Sequence, residues 1–325
     1  MKSKNIAVIG GSGFLGSYLI PILEKDNNII NFDIKNNDSL PCETIICDVR
    51  DKRIKNYLKG IDIVVLLAAE HLDNVKPTDL YYSVNVDGIS NILAVINELE
   101  ISKLIFTSSV AVYGFDQKNI DENGPLEPYN HYGISKLKSE EKINDYIRSN
   151  PDFECDIIRP TVIFGIGNRG NVYTLFNMIS KGYFFSIGRG ENVKSLCYVE
   201  NVAAFISYLT NNSSNGKRIF NYVDYDNLNL NQTVDQIATI LKVRVRKFTL
   251  NFNLAYLLGF GLDLVSIITG IKFKLSRIRV KKYCANSMFL ADRAFQEFNP
   301  PYTLVEGLKK TLKNEFLLGK NNLMP

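Results

Sequence analysis

The sequence predicts an α/β fold: a doubly wound parallel sheet with a smaller, interleaved C-terminal part. Three observations carry that prediction. Strand and helix signals alternate through the first 160 residues, the pattern of a parallel sheet crossed by helices. Residues 61–68 are apolar but for Asp62, as expected of a strand buried on both faces. The first apolar strand, residues 5–9, runs straight into Gly10-Gly11-Ser12-Gly13-Phe14-Leu15-Gly16.

The elements follow in order. Residues 14–24 have helical spacing, and residues 29–33, 44–47 and 61–68 read as strands. A long helix is expected over 80–99, a strand over 103–108, a helix over 132–148 and a strand over 155–159. The pattern then loosens. Residues 165–170 are a glycine- and asparagine-rich loop, 211–216 a polar turn cluster, and 220–223 return one strand to the main sheet. The division this implies is a dinucleotide-binding domain over 1–165, with a returning segment near 200–225. Residues 166–199 and 226–325 then form the substrate-binding domain.

Composition narrows the class. The 325 residues suffice for one large domain or two that share a core. A formal net charge of only +4 gives no reason to expect a nucleic-acid partner. Five cysteines, at 42, 47, 155, 197 and 284, form no C-x-x-C pair, and the two histidines, His71 and His131, lie far apart. Neither a disulfide framework nor a metal site is expected, and a reducing cytoplasm fits. The N-terminus shows no signal-peptide pattern, so the mature chain is expected to begin where the sequence does.

Glycines 10, 13 and 16 have the G-x-x-G-x-x-G spacing between a strand and a helix. A dinucleotide needs a tight turn there, bare backbone against its pyrophosphate, and free N–H groups at the helix start. Asp33 ends the second strand, twenty residues beyond Gly13. A carboxylate there accepts from ribose hydroxyls and repels a 2′-phosphate, which favours NAD over NADP; Lys35 works against it. Asp48-Val49 ends the third strand, and the small pair Ala68-Ala69 ends the fourth.

Tyr132-Gly133-Ile134-Ser135-Lys136 places a phenol and an ammonium four apart, on one helix face. A nearby cation favours phenolate, so the pair suits a general base. Phe106-Thr107-Ser108-Ser109 ends a buried strand, where open parallel sheets hold ligands, and Ser109 is placed to donate to a substrate oxygen.

With these residues in this order, the sequence resembles the extended short-chain dehydrogenase/reductases, the NAD-dependent epimerase/dehydratase family, over essentially the whole chain. The resemblance implies a Rossmann fold and a catalytic set of Ser109, Tyr132 and Lys136. It implies an NAD site of Gly10, Gly13, Phe14, Leu15, Gly16, Asp33, Asp48, Val49, Ala68 and Ala69, lined also by Tyr132 and Lys136, with Asp48 meeting the adenine amine. A homodimer is usual in that family.

Dehydratases of the family carry an Asp-Glu pair after the catalytic hydroxyl residue. Here Val110 and Ala111 stand there and transfer no protons, which rules that activity out. A 4-epimerase acting through a transient 4-keto sugar is favoured, with a 4-ketoreductase, or an idle NAD-sensing scaffold, as alternatives. Where UDP-sugar epimerases place a diphosphate-binding asparagine, this chain has Val162. Arg169, Lys194 and Arg279 are the substitute contacts expected for substrate. Stretches such as Asn130-His131-Tyr132-Gly133 and Phe220-Asn221-Tyr222-Val223-Asp224 resemble the 4-epimerases acting on N-acetylglucosamine linked through diphosphate to undecaprenol. A UDP-N-acetylglucosamine or UDP-glucose 4-epimerase is the second reading. His71, Glu70 and His131 are read as surface or loop residues, and Tyr113 as core or sugar-facing.

Residues 252–271 are largely apolar, and 272–282 carry Lys272, Lys274, Arg277, Arg279, Lys281 and Lys282. An apolar helix beside a basic cluster is what a peripheral membrane contact needs. The same segment also reads as a core helix followed by a diphosphate-binding or solvated strand. The expected location is the cytoplasm, at the cytoplasmic face of the inner membrane where the contact operates.

Overall fold

The computed structural model describes residues 3–72, 75–213, 216–225, 228–269 and 276–318. In chain order, β1 (Asn5–Ile9) leads through the glycine turn into α1 (Phe14–Leu23), then β2 (Asn28–Asp33), β3 (Thr44–Ile46) and β4 (Ile63–Leu66). A helical run follows, α2 (Asp79–Tyr82), a wider π turn (Ser83–Asp87) and α3 (Gly88–Leu99), before β5 (Lys103–Thr107), β6 (Gln117–Ile120), α4 (His131–Ser149) and β7 (Glu154–Pro160). Next come β8 (Val162–Phe164), α5 (Asn171–Ser180), β9 (Tyr183–Ile187), β10 (Leu196–Tyr198), α6 (Val199–Asn211) and β11 (Lys217–Tyr222). The rest is α7 (Leu230–Leu241), β12 (Arg246–Leu250), α8 (Phe252–Thr269), α9 (Arg277–Cys284), β13 (Ser287–Phe289), α10 (Asp292–Glu297) and α11 (Leu304–Leu312).

Seven strands form the main sheet in the order β11-β7-β5-β4-β1-β2-β3, every pair parallel. The chain starts at β1, winds outward through β2 and β3, then crosses back to β4, so strand order reverses between β1 and β4. Ligands of such sheets sit in that crevice, beyond the carboxyl ends of the strands. Valine and isoleucine fill β1 and β4 because both faces are covered. On one face α1 and α6 pack Leu19, Ile20, Val202 and Phe205 against Ile6 and Val65; on the other α3 and α4 bring Ile89, Ile92 and Ile143 against Ala7 and Val64.

The expected strand at 61–68 is shorter, because the N–H groups of both Leu67 and Ala68 turn to the Ile9 carbonyl, each at 2.8 Å. The expected helix at 80–99 is interrupted by the π turn around Asn85, and the helix expected from 132 starts at His131, which is therefore helical rather than in a loop. The segment at 220–223 does return to the main sheet, as the end of edge strand β11. Of the polar cluster at 211–216, Asn211 is still helical and residues 214 and 215 lie outside the described residues.

A further core gathers Phe164, Phe176, Phe184 and Tyr198 with Val234 and Ile237 of α7 and Leu308 of α11. Short parallel pairs, β10–β8, β12–β9 and β13–β6, connect this region to the main sheet's carboxyl edge. Among the described residues, no helix is long and apolar enough to cross a membrane. Lys272 and Lys274 of the expected basic cluster lie outside the described residues, and 277–284 form a helix rather than a strand.

Candidate active site

The glycine turn is held from beneath by a side chain that spacing alone did not reveal. Asn31, fully buried in β2, accepts from Gly11 N at 3.0 Å and donates to Ser12 Oγ and Thr44 Oγ1. At Gly10, with φ +90°, an added Cβ would lie 2.4 Å from Ala68 N; at Gly16 it would lie 2.3 Å from Gly11 O. Neither position admits another residue without moving backbone. Gly13 caps α1 without a side-chain bond, so the first-turn N–H groups from Phe14 onward remain for an anion. Asp33 stands at the end of β2, its carboxylate accepting from Ser12 N at 3.0 Å and Lys35 N at 3.1 Å. This cradle of bare backbone, helix start and strand-end carboxylate fits a dinucleotide.

Other residues of the expected cofactor site differ in how they are occupied. Asp48 is bound by Arg50 through both oxygens, at 2.7 and 2.9 Å, and these hydrogen bonds lower its pKa. Val49 is buried against Gly88, where an added Cβ would meet Val49 at 2.8 Å. Ala68 and Ala69 continue from β4 beside Gly10.

Ser109, Tyr132 and Lys136 meet at the carboxyl end of β5. Ser109 opens a tight turn, Val110–Tyr113, its Oγ accepting from Ala111 N at 3.2 Å. Gly133 lets α4 approach that turn: an added Cβ would lie 2.5 Å from Ala111 O. Asn130 caps α4 by accepting from Gly133 N at 2.7 Å. Tyr132 is partly exposed, yet its phenol is surrounded closely enough that burial raises its pKa, while a hydrogen bond with the Ser109 side chain lowers it. Lys136 is buried, donates to Thr107 O at 2.8 Å and lies 4.8 Å over the Phe106 ring. Burial depresses its pKa to about 7, and Glu140 opposes that shift. Burial thus acts against the charged form of both groups, while Ser109 and Glu140 act in favour of it.

A buried polar network braces this edge. Glu140 sits one helical turn after Lys136 and pairs with Arg159 of β7 at 2.6 and 3.0 Å; Ser108 Oγ donates to the same carboxylate. Arg159 also donates to Tyr113 Oη at 2.6 Å, and Tyr113 to Asn221 Oδ1 at 2.7 Å. Tyr113 is therefore a core residue. Asn85, in the π turn, accepts from Glu70 N and donates to Glu70 O and Ser135 Oγ, tying the segment after β4 to α4. π turns concentrate at functional sites, but this one has no local sequence signal. His131 bonds Tyr82 Oη at 2.9 Å and stacks on Tyr81. His71 is exposed.

The three cations expected at the substrate lie apart. Arg169 pairs with Glu315 at 2.9 Å and stacks on Tyr173, 4.4 Å from its ring. Lys194 donates to Lys282 O at 3.0 Å, and burial lowers its pKa to about 8. Its backbone bridges to Ser287, whose strand β13 pairs with β6. Arg279 is exposed on α9. Val162 is 52% exposed on β8. A cavity of about 390 Å³ lies between β6 and the 187–192 loop, lined by Lys118, Arg189, Asn192, Phe252, Cys284 and Asn286 among others.

Comparison with known proteins places this geometry. The chain is 44% identical over 323 residues, 98% of each chain, to N-acetyl-alpha-D-glucosaminyl-diphospho-ditrans,octacis-undecaprenol 4-epimerase of Escherichia coli O157:H7. It is 29% identical to the mouse sterol-4-alpha-carboxylate 3-dehydrogenase, decarboxylating, over 98% of this chain and 93% of that one. A UDP-glucose 4-epimerase from Thermotoga maritima, solved with UDP-glucose, has the same fold, with a TM-score of 0.78 and 21% identity over 98% of this chain and all of that one. Residues 6–222 match the NAD dependent epimerase/dehydratase family. The chain belongs to that family.

Proposed function

We propose that this chain is an NAD-dependent 4-epimerase of a diphosphate-linked N-acetylhexosamine, interconverting N-acetylglucosamine and N-acetylgalactosamine on diphospho-undecaprenol through a transient 4-keto sugar. The joining of Ser109, Tyr132 and Lys136 at the cofactor crevice carries the chemistry. The 44% identity along the whole chain to an enzyme named for that lipid-linked sugar supports the substrate.

Gly10, Gly13, Phe14, Leu15 and Gly16 hold the cofactor's pyrophosphate, and Asp33 its adenosine ribose. Bound NAD supplies a reversible hydride acceptor. Tyr132 Oη takes the proton of the sugar's 4-hydroxyl and returns it to the opposite configuration. Ser109 Oγ hydrogen-bonds that oxygen while its charge changes. Lys136, anchored on Thr107 O, supplies the positive charge that favours phenolate. Val110 and Ala111, in the turn after Ser109, offer no carboxyl group for removing water, so the ketone is reduced again rather than dehydrated.

In this reading residues 166–199 and 226–325 bind substrate, with Lys194 and Arg279 toward the diphosphate. Arg169, held by Glu315, serves there only if that pair opens. The protein works as a homodimer in the cytoplasm, touching the membrane's cytoplasmic face through 252–282.

The test is direct. Purified protein is incubated separately with N-acetylglucosaminyl-diphospho-undecaprenol and with UDP-N-acetylglucosamine, and the sugar released by mild acid is identified. Conversion to the galacto epimer on the lipid carrier is expected. Conversion only on UDP makes the chain a nucleotide-sugar epimerase, and a net 4-keto or reduced product on either carrier rejects epimerisation.

A further inference from the structure

The membrane contact proposed above concerns α8 and the basic residues after it. The register of β9 and β12 brings a second element to the same face. These strands pair in parallel, Tyr183 beside Arg246, Phe185 beside Phe248 and Ile187 beside Leu250. Side chains alternate along a strand, so these six share one side of the ribbon. The opposite side is covered along β9, where Phe184 and Ser186 are buried, whereas on β12 Lys247, paired with Asp235 of α7, and Thr249 are exposed.

On the first side the cover is partial. Ile187 and Leu250 pack against Ala255 of α8 and Val280 of α9. Tyr183, Phe185 and Phe248 remain open, Phe185 47% and Phe248 55% exposed. The helices thus lie over one end of the ribbon and leave its aromatic end bare beside them.

The outward side of α8 is equally apolar. Leu254, Leu257, Leu258, Leu264 and Val265 are exposed at i, i+3, i+4, i+10 and i+11, a single helical stripe with Gly261 between its halves. Ala255 and Gly259 face inward; at Gly259 an added Cβ would meet Arg277 N at 2.9 Å. Ala255 joins Ile187 and Val280 in one small core, so α8, with its outward stripe, adjoins the ribbon whose rings are open.

Charge selects what covers this face. Residues 236–262 and 264–291 contain no aspartate or glutamate, and Asp263 between them is paired with Arg277 at 3.2 Å. Arg277 lies 4.8 Å over the Phe260 ring and Lys281 5.6 Å over the Tyr256 ring, so cations flank the helix directly. Arg244 and Arg246 add charge beside the ribbon. A second copy meeting this face through a two-fold axis would set one cationic rim against another. An anionic bilayer offers both the counter-charge and the apolar interior.

We infer that Tyr183, Phe185 and Phe248 form a second insertion element, and that the protein docks on anionic membrane by two prongs, the α8 stripe entering the acyl boundary and the ribbon's rings resting at the headgroups. Of the three rings Tyr183 carries the polar edge that favours that level, while Phe185 and Phe248 supply apolar area at its inner boundary. Two prongs fix the protein's tilt, which a single helix leaves free to roll, and so fix where the cavity beside Phe252 faces relative to the bilayer surface. The inference rests on the proposed membrane reading, and its test separates the two.

The chain contains no tryptophan, so single reporters are clean. Leu257→Trp, Phe185→Trp and, beside Phe32 of the main sheet, Tyr57→Trp are each mixed with vesicles of phosphatidylcholine and phosphatidylglycerol, plain or brominated on the acyl chains. Both the 257 and 185 reporters should shift to the blue and be quenched, the former more strongly; the 57 reporter should do neither. Quenching at 257 alone overturns the second prong while the α8 contact stands. Quenching at neither overturns the membrane reading itself, and dimers that dissociate on Leu257→Gln would then assign the face to a second copy. Hydrogen exchange of the unmodified chain, with slower exchange at 183–186 and 246–249 on vesicles, asks the same question without a substitution, and unchanged exchange there rejects the prong.

Discussion

Around β5 and α4, charged and polar side chains are buried and held by partners: Glu140 by Arg159 and Ser108, Tyr113 by Asn221, Asn85 by Glu70 and Ser135. Over α8 the arrangement is inverted, with leucines in solvent and cations lying against aromatic rings. The first region needs its reacting atoms placed within a few tenths of an ångström, and directional bonds in a dry setting supply that precision. On the proposed reading the second meets a bilayer, a partner that deforms, so it needs area and charge sign rather than geometry. The active-site edge should accordingly be sensitive to the loss of single atoms, and the α8 face only to the loss of several side chains at once.

The sharpest way to break the first region is Glu140→Gln. It keeps the shape but strands the Arg159 guanidinium in the interior. Losing one partner of a buried pair costs about 3–5 kcal/mol, so thermal unfolding should show a large drop in stability. A change under about 1 kcal/mol would mean that Tyr113 and the Glu122 carbonyl already satisfy Arg159.

Tyr132→Phe removes one oxygen and keeps the ring's packing. Turnover should fall at least ~10²-fold while NAD binding and the melting temperature stay close to those of the parent. Near-normal turnover would take the phenol out of the reaction. The two variants differ in what they move most: the first should act chiefly on stability, with some loss of rate because Glu140 also supports the Lys136 charge, and the second on rate alone.

What sequence could and could not announce follows the same line. The glycine turn, Asp33 and the Tyr132–Lys136 pair are local patterns whose spacing is their geometry, and they stand where spacing puts them. Asn31, Asn85 and the Glu140–Arg159 pair act across 15 to 50 residues of chain, and nothing near them in sequence distinguishes them from ordinary polar residues. Arg169 shows the converse. Its loop suggested a free diphosphate clamp, but Glu315, 146 positions on, holds it. Of the membrane face, composition announced the helix and its basic neighbour, whereas the ribbon needed strand register, which no periodicity reports.

The second region should yield only to substitution in bulk. Arg277, Arg279, Lys281 and Lys282 changed together to glutamine should weaken binding to anionic vesicles about 10²-fold at low salt, less than four independent cations would give, since Arg277 is already partly spent on Asp263. The difference should shrink as salt rises through physiological strength. Equal binding of parent and variant at low salt would place the attraction elsewhere on the surface.

The smallest effect is expected at Asp33, where the precise region meets solvent. Its carboxylate accepts from Ser12 N and Lys35 N, and on the proposed reading it also presents negative charge where a 2′-phosphate would lie. Asp33→Asn keeps an amide oxygen for one of those backbone donors and removes only the charge. Because the side chain is partly exposed, the repulsion is worth about 1 kcal/mol, the scale of two charges a few ångströms apart in water. The preference for NAD over NADP should therefore narrow about five-fold, through tighter NADP binding rather than weaker NAD binding. Titration of both dinucleotides against parent and variant measures it. Loss of NAD affinity with no gain for NADP would show that Asp33 matters for shaping the glycine turn rather than for its charge, and would leave Lys35 free to draw the phosphate in.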